Sequence, residues 1–175
     1  IHIRTAAASP WTRGHEAGRI QLETSIDPKR LGQNVAAPSI TCRSYFCADS
    51  REKGEDLLEK AISEGADVIF TTTPLLIAPS LKVSVKHPKV RFLNCSLHMP
   101  YSTVRTYYCR VYEAKFITGA IAGAMAKNDR IGYVGTYPIH GEPAAINAFA
   151  LGAQLTNPRA KIELKWSCLR GNPTR

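Results

Sequence analysis

The sequence predicts an α/β fold of parallel-sheet βαβ layers, on three observations. Strand-like segments alternate with helical segments of about ten to sixteen residues along the chain, the pattern of right-handed βαβ units around a parallel sheet. No internal repeat of short fixed period is visible. The stretch from Tyr107 to Gly135 runs strand, helix, turn and new strand without a break, with one lobe before it and the start of another after it.

In chain order, Ile1 to Thr5 reads as an opening strand, and Ser9-Pro10 leads into a helix running to about Thr24 with Trp11 at its mouth. Asp27 to Pro38 carries Pro, Gly, Gln and Asn without a period and reads as loop; Ser39 to Cys47 reads as the second strand. Asp49-Ser50 caps a helix from Arg51 to about Glu64, with Leu57, Leu58, Ala61 and Ile62 on one side and Gly65 at its end. Asp67 to Thr73 is a short buried strand. Pro74 to Lys86 is a helix in which Pro79 marks either a kink or a true start near Ser80. Val90 to Cys95 is a strand, Ser96 to Thr106 a loop, and Thr106 to Arg110 a short strand.

The helix from Val111 to Lys127 places Val111, Phe116, Ile117, Ala120, Ile121, Ala124 and Met125 at helical spacing, which predicts one buried face. Gly119, Ala120, Ala122, Gly123 and Ala124 allow close approach of a neighbour, and Asn128-Asp129 stop the helix. Gly119-x-x-x-Gly123 also fits membrane-helix dimerisation, but the apolar run is far shorter than the roughly 20 residues a span needs and is flanked by Lys115 and Lys127. Ile131 to Thr136 is a strand, Gly141 to about Thr156 a helix, Lys161 to Trp166 a strand, and Cys168 to Arg175 a tail.

The 175 residues are enough to bury a real core. The formal charge of +9 raises the question of a basic binding surface. The basic residues stand singly or in pairs, without a block or an aromatic-interleaved platform, so direct nucleic-acid binding is not predicted. No C-x-x-C or Cys/His cluster has zinc spacing, so no metal or cofactor is predicted. Five cysteines cannot all pair within one chain, and the separation of Cys42 and Cys47 puts them on opposite faces of an extended strand, where they read as reduced and half-buried. That leans to a reducing compartment. No export signal is present in these residues, which open inside a predicted strand.

In parallel α/β sheets ligands bind outside the carboxyl ends of the strands. The segments that matter are therefore Ala7 to Arg13, Thr71 to Leu75, Asn94 to His98, Cys109 to Glu113 and Gly135 to Ile139. Enzyme chemistry is not predicted: there is no G-x-S-x-G elbow, P-loop, G-x-G-x-x-G after the first strand or H-E-x-x-H. His15, His98 and His140 lack a carboxylate or cysteine partner at a telling spacing.

Six groups of motifs stand in one order: Trp11-Thr-x-x-His15-x-x-Gly-Arg19; Gly65-Ala-Asp-Val-Ile-Phe70; Pro79-x-Leu-Lys-Val83 with Pro88-x-Val-x-Phe92; Arg110-x-Tyr-Glu113 with Gly119-x-x-Ala-Gly123; Ile131-Gly-Tyr-Val134 with Tyr137-Pro-Ile139; and Ile146-Asn-Ala-Phe149-x-x-Gly-Ala153 with Asn157-Pro158. In these the chain resembles the basic membrane protein family of purine- or nucleoside-binding proteins, which have the type I periplasmic-binding-protein fold. The resemblance covers nearly the whole chain. It departs from the family at Ser167 to Pro173, where a tryptophan and an acidic residue are missing, and at Tyr108-Cys109, where Asn-Ala is common.

The resemblance implies lobe 1 at 1–110, a crossover helix at 111–127 and the start of lobe 2 at 128–175, with the chain stopping within the second lobe. It implies a purine base or nucleoside held in an inter-lobe cleft and delivered to an ABC transporter permease, in a protein that is extracytoplasmic and membrane-anchored through a lipid not carried by these residues. The alternative is a ligand-sensing domain of a cytoplasmic regulatory protein with the same fold. Trp11 matches the family's aromatic near the first strand end and would stack on a base, the competing reading being a ring that plugs the lobe. Arg110, Tyr112 and Glu113 would either line the cleft or form a hinge-region ion pair. Tyr137 is a second aromatic candidate, and Thr73 and Ser96, at predicted strand ends, complete the ligand-binding set.

Overall fold

The computed structural model describes residues 1–25, 40–97, 100–135, 138 and 141–167. Two compact units divide the chain, Ile1–Tyr107 and Tyr108–Arg175.

In unit 1, β1 (Val68–Thr71), β2 (Arg91–Cys95) and β3 (Val104–Tyr107) form a parallel sheet in that order. The register sets Ile69 beside Phe92 and Phe92 beside Val104, so one face is apolar across all three strands. On it, Leu58 and Ala61 of α2 (Arg51–Ser63), Leu76 of the turn before α3 and Val83 of α3 (Ile77–Lys86) complete the core. Each large aliphatic buried there contributes on the order of 1.5–3 kcal/mol.

Local chemistry sets the helix ends. Ser50 caps α2 by accepting the Lys53 N–H at 3.2 Å, and Gly65, at φ 89°, closes it in the left-handed region. Pro79 neither kinks α3 nor delays its start to Ser80. A 3-10 turn over Pro74–Leu76 leads into the helix at Ile77, so Pro79 falls in the first turn, where an N–H has no intrahelical acceptor to lose.

The two opening strands are corrected. Ile1 to Thr5, which bends at Ile3 and Arg4, and the described part of Ser39 to Cys47 do not form regular strands. His2 donates to the Tyr45 carbonyl at 2.9 Å and accepts from Ala48 N–H at 3.0 Å, and then Cys47 turns to φ 67°, a left-handed residue that ends the run. Cys42 is half-buried as expected, whereas Cys47 is exposed. On the other side of His2, Thr72 N–H bonds the Ile1 carbonyl at 3.2 Å. Backbone hydrogen bonds thus run on from β1 to segment 1–3 and from there to segment 45–48, outside the three-stranded sheet. Since α2 leads from the outer segment back across to β1, the order reverses between segment 1–3 and β1. That gap is the topological switch point of the unit.

Unit 2 has two parallel strands, β4 (Arg130–Gly135) and β5 (Lys161–Trp166), in register from Arg130–Lys161 to Gly135–Trp166. Its helices α4 (Val111–Met125) and α5 (Glu142–Thr156) meet backbone to backbone. A Cβ on Gly119 would fall on the Phe149 carbonyl oxygen, and one on Gly152 would fall on the Phe116 carbonyl oxygen, so Phe116-x-x-Gly119 and Phe149-x-x-Gly152 contact each other reciprocally. Thr156 adds a hydroxyl bond to the Ala120 carbonyl at 2.8 Å.

The buried face of α4 is therefore not the one that apolar periodicity marks. Gly119 and Gly123 are its buried residues, while Phe116, Ile117, Ile121 and Met125 are exposed. The smooth stripe wins because only there can two helix backbones touch. No helix among the described residues is long and apolar enough to cross a membrane.

Candidate functional site

The Trp11 side chain lies at the switch point of unit 1. Ser9 accepts the Thr12 N–H at 3.2 Å and starts α1 (Pro10–Ser25), which puts Trp11 in the first turn, above the carboxyl end of β1. The indole Nε1 donates to the Thr72 carbonyl at 2.6 Å, joining the loop after segment 1–3 to the loop after β1. The residue is nonetheless 44% exposed. His15, four residues on and so on the same face of α1, packs its ring at 4.9 Å from the Trp11 ring, tilted 53°. Its Nδ1 lies 3.1 Å from the Trp11 carbonyl oxygen.

Beneath this pair is a polar network. Glu16 takes Ser44 Oγ at 2.6 Å, Arg19 Nε at 3.0 Å and His2 Nε2 at 3.0 Å. A carboxylate only accepts, so His2 Nε2 donates, and Nδ1 of the neutral ring is left to accept from the Thr72 hydroxyl, 3.1 Å away. Burial drives the His2 pKa down to about 4, so the ring is neutral near pH 7. Burial alone would push the Glu16 carboxyl up; the bonds from Ser44, Arg19 and His2 outweigh it and hold Glu16 below the usual carboxylate range. The network braces Thr72, whose carbonyl holds the indole.

Thr73 and Ser96 sit at strand ends as expected, with their side chains turned inward. Thr73 is buried; its hydroxyl caps the 3-10 turn by accepting Leu75 N–H at 3.4 Å, and its carbonyl takes the Asn94 Nδ2 at 2.9 Å. Asn94 also donates to Thr71 Oγ1 at 2.8 Å. Among the described residues, two buried side-chain atoms have no hydrogen-bond partner, Asn94 Oδ1 and Ser96 Oγ. On the opposite face of β2, buried Cys95 hydrogen-bonds Tyr107, whose phenol is pushed upward, first by burial and then by Cys95.

In unit 2, Arg110, Tyr112 and Glu113 form a self-contained cluster at the start of α4. Arg110 Nη2 pairs with Glu113 Oε1 at 2.9 Å, its Nε donates to Tyr112 Oη at 2.7 Å, and its guanidinium lies 5.6 Å from the Tyr112 ring centre. All three are exposed. Tyr137 lies outside the described residues. A groove in the same unit, lined by Lys127, Asp129, Asn157 and Arg159, opens at the amino ends of β4 and β5, away from where such sheets bind ligands. Its Asp129 is already engaged by Arg159 at 3.2 Å and Asn157 at 3.2 Å.

Sequence reasoning set His15 aside for want of a carboxylate or cysteine partner, although its helical spacing from Trp11 was visible. The part played by Thr72 gave no signal, because it acts through its backbone carbonyl.

A family model for PnrA-like ABC transporter substrate-binding proteins, Bmp, matches residues 9–168. A purine-binding protein of Brucella abortus is 29% identical over 169 residues, covering 95% of this chain and 45% of the relative. A Haloferax volcanii protein whose name assigns it glucose in ABC transport is 32% identical over 166 residues, covering 95% of this chain and 39% of that protein. The chain thus spans less than half the length of these relatives. Among solved structures, an ABC transporter solute-binding protein from Conexibacter woesei superposes with TM-score 0.60 at 16% identity, and a transcriptional activator of the comK gene from Bacillus halodurans with TM-score 0.68 at 13%. Each match covers 94% of this chain and 52% of the other, and both share the α/β architecture.

Proposed function

Because the chain belongs to the Bmp family of PnrA-like ABC transporter substrate-binding proteins, a family of binding proteins and not of enzymes, we propose that it takes part in solute capture for an ABC uptake system, with a purine base or nucleoside as the solute. The observation that carries the ligand reading is Trp11, an indole held at the switch point by Thr72 and yet half open to solvent. A flat apolar face there suits a heteroaromatic ring, and stacking of a base on such a face contributes about 1–3 kcal/mol. The purine-binding relative from Brucella abortus supports the same class. The partner is then a membrane permease, and the protein works outside the cytoplasm, held at the membrane by an anchor beyond these residues.

Calorimetric titration of the purified protein with adenosine, guanosine, inosine, hypoxanthine and glucose tests the reading. The expected result is micromolar or tighter binding of at least one purine, weakened about 5- to 150-fold by Trp11→Ala. Binding of glucose with no purine binding would move the ligand class to sugars, in line with the Haloferax relative. Purine binding indifferent to Trp11→Ala would remove the stacking role.

A further inference from the structure

We infer that His15 is a specificity-determining residue, whose Nε2 accepts a hydrogen bond from an N–H on the edge of the base that stacks on Trp11. This rests on the purine reading above and deepens it. The acceptor of His15 Nδ1 is the Trp11 carbonyl, which cannot donate, so Nδ1 carries the proton. In the neutral ring Nε2 is then a lone-pair acceptor. No hydrogen bond among the described residues reaches it.

The tautomer is fixed by backbone, and the ring's place is fixed by packing. His15 lies against Trp11, and its ring centre is 6.2 Å from that of His2 in an edge-on arrangement, while it is only half-buried. Tilted 53° from the indole, it forms the second wall of an angled corner. A base resting on the indole turns an edge, not a face, toward that wall. Base edges differ in where they carry donors, so an acceptor at this point reads identity, whereas the indole reads only flatness. A site built to bond an N–H rejects analogues that lack it, because the acceptor is left unsatisfied.

The test compares adenosine with N6,N6-dimethyladenosine, and inosine with 1-methylinosine, by calorimetry on wild type, His15→Ala and His15→Phe. In at least one pair, wild type is expected to bind the N–H-bearing ligand tenfold or more tighter than its methylated partner. Both variants should bring that ratio within threefold. His15→Phe keeps a ring against Trp11 without Nε2; if it restores wild-type discrimination, His15 only props the indole and the assignment is overturned. A ratio unchanged in His15→Ala overturns it equally. If wild type binds none of the four nucleosides and no purine of the panel above, the purine reading itself fails. That outcome is distinct from purine binding that ignores His15.

Discussion

Replacing Gly119 by alanine sets two known effects against each other in one residue. In a helix interior the exchange ordinarily stabilises, by about 0.8–1.0 kcal/mol, through helix propensity. Here the new methyl would occupy the place of the Phe149 carbonyl oxygen, and the obstructing group is backbone, with no rotamer to yield. Overpacking costs about 1–3 kcal/mol, and with a backbone obstacle the upper part of that range applies. The net expectation is a loss of about 1–2 kcal/mol, read from urea denaturation followed by far-ultraviolet circular dichroism. Gly152→Ala meets the reciprocal contact with the Phe116 carbonyl, so the double variant should lose less than the sum of the singles. The control is Gly18→Ala in α1, where an added Cβ meets nothing within 4 Å, and a gain of about 0.5–1 kcal/mol is expected. If Gly119→Ala stabilises as much as Gly18→Ala, the backbone contact between α4 and α5 is not as described.

Other outcomes follow from the polar contacts. Asn94→Ala removes both bonds that tie the end of β1 to the turn after it, and should cost about 1–3 kcal/mol in a denaturation midpoint experiment. Acidification should lower the melting temperature in two stages. The folded state refuses the His2 proton until about pH 4, while the unfolded chain takes it near its ordinary value of about 6.5. Stability is therefore complete above about 6.5 and falls as the pH drops toward 4. The depressed Glu16 adds a further loss in the carboxylate range. His2→Gln should flatten the upper stage and leave the lower one. Arg110→Ala, which breaks only an exposed cluster, should leave the thermal midpoint unchanged within error, so any effect on binding would report on the ligand.

Local signals gave most element boundaries from Arg51 to Trp166, because caps and stops are written in single residues: Ser50 at the start of α2, Gly65 at its end, Asn128-Asp129 after α4. The opening segments were harder. A regular strand needs a longer ladder than His2 makes with its neighbours, and the left-handed turn at Cys47 carries no glycine to announce it. On α4, periodicity marked the bulky residues, whereas burial followed the small ones, since close backbone approach is a property of the partner helix as much as of the sequence. At the site, Trp11 was visible as the aromatic at the mouth of the first helix. The inward turn of Thr73 and Ser96 was not visible, because a strand end places a residue without saying which way its side chain faces.

The indole of Trp11 is held from two sides, by the Thr72 carbonyl at its nitrogen and by the His15 ring. An aromatic that moves freely must give up its rotamers when a ligand lands on it, and ordering a side chain of that kind costs about 0.5–1.5 kcal/mol. In this chain that loss is taken when the polypeptide folds. If a base stacks on Trp11 as proposed, its encounter becomes docking onto a ring already in place, and the rate should follow diffusion and orientation, with no slow step from rearrangement of the ring.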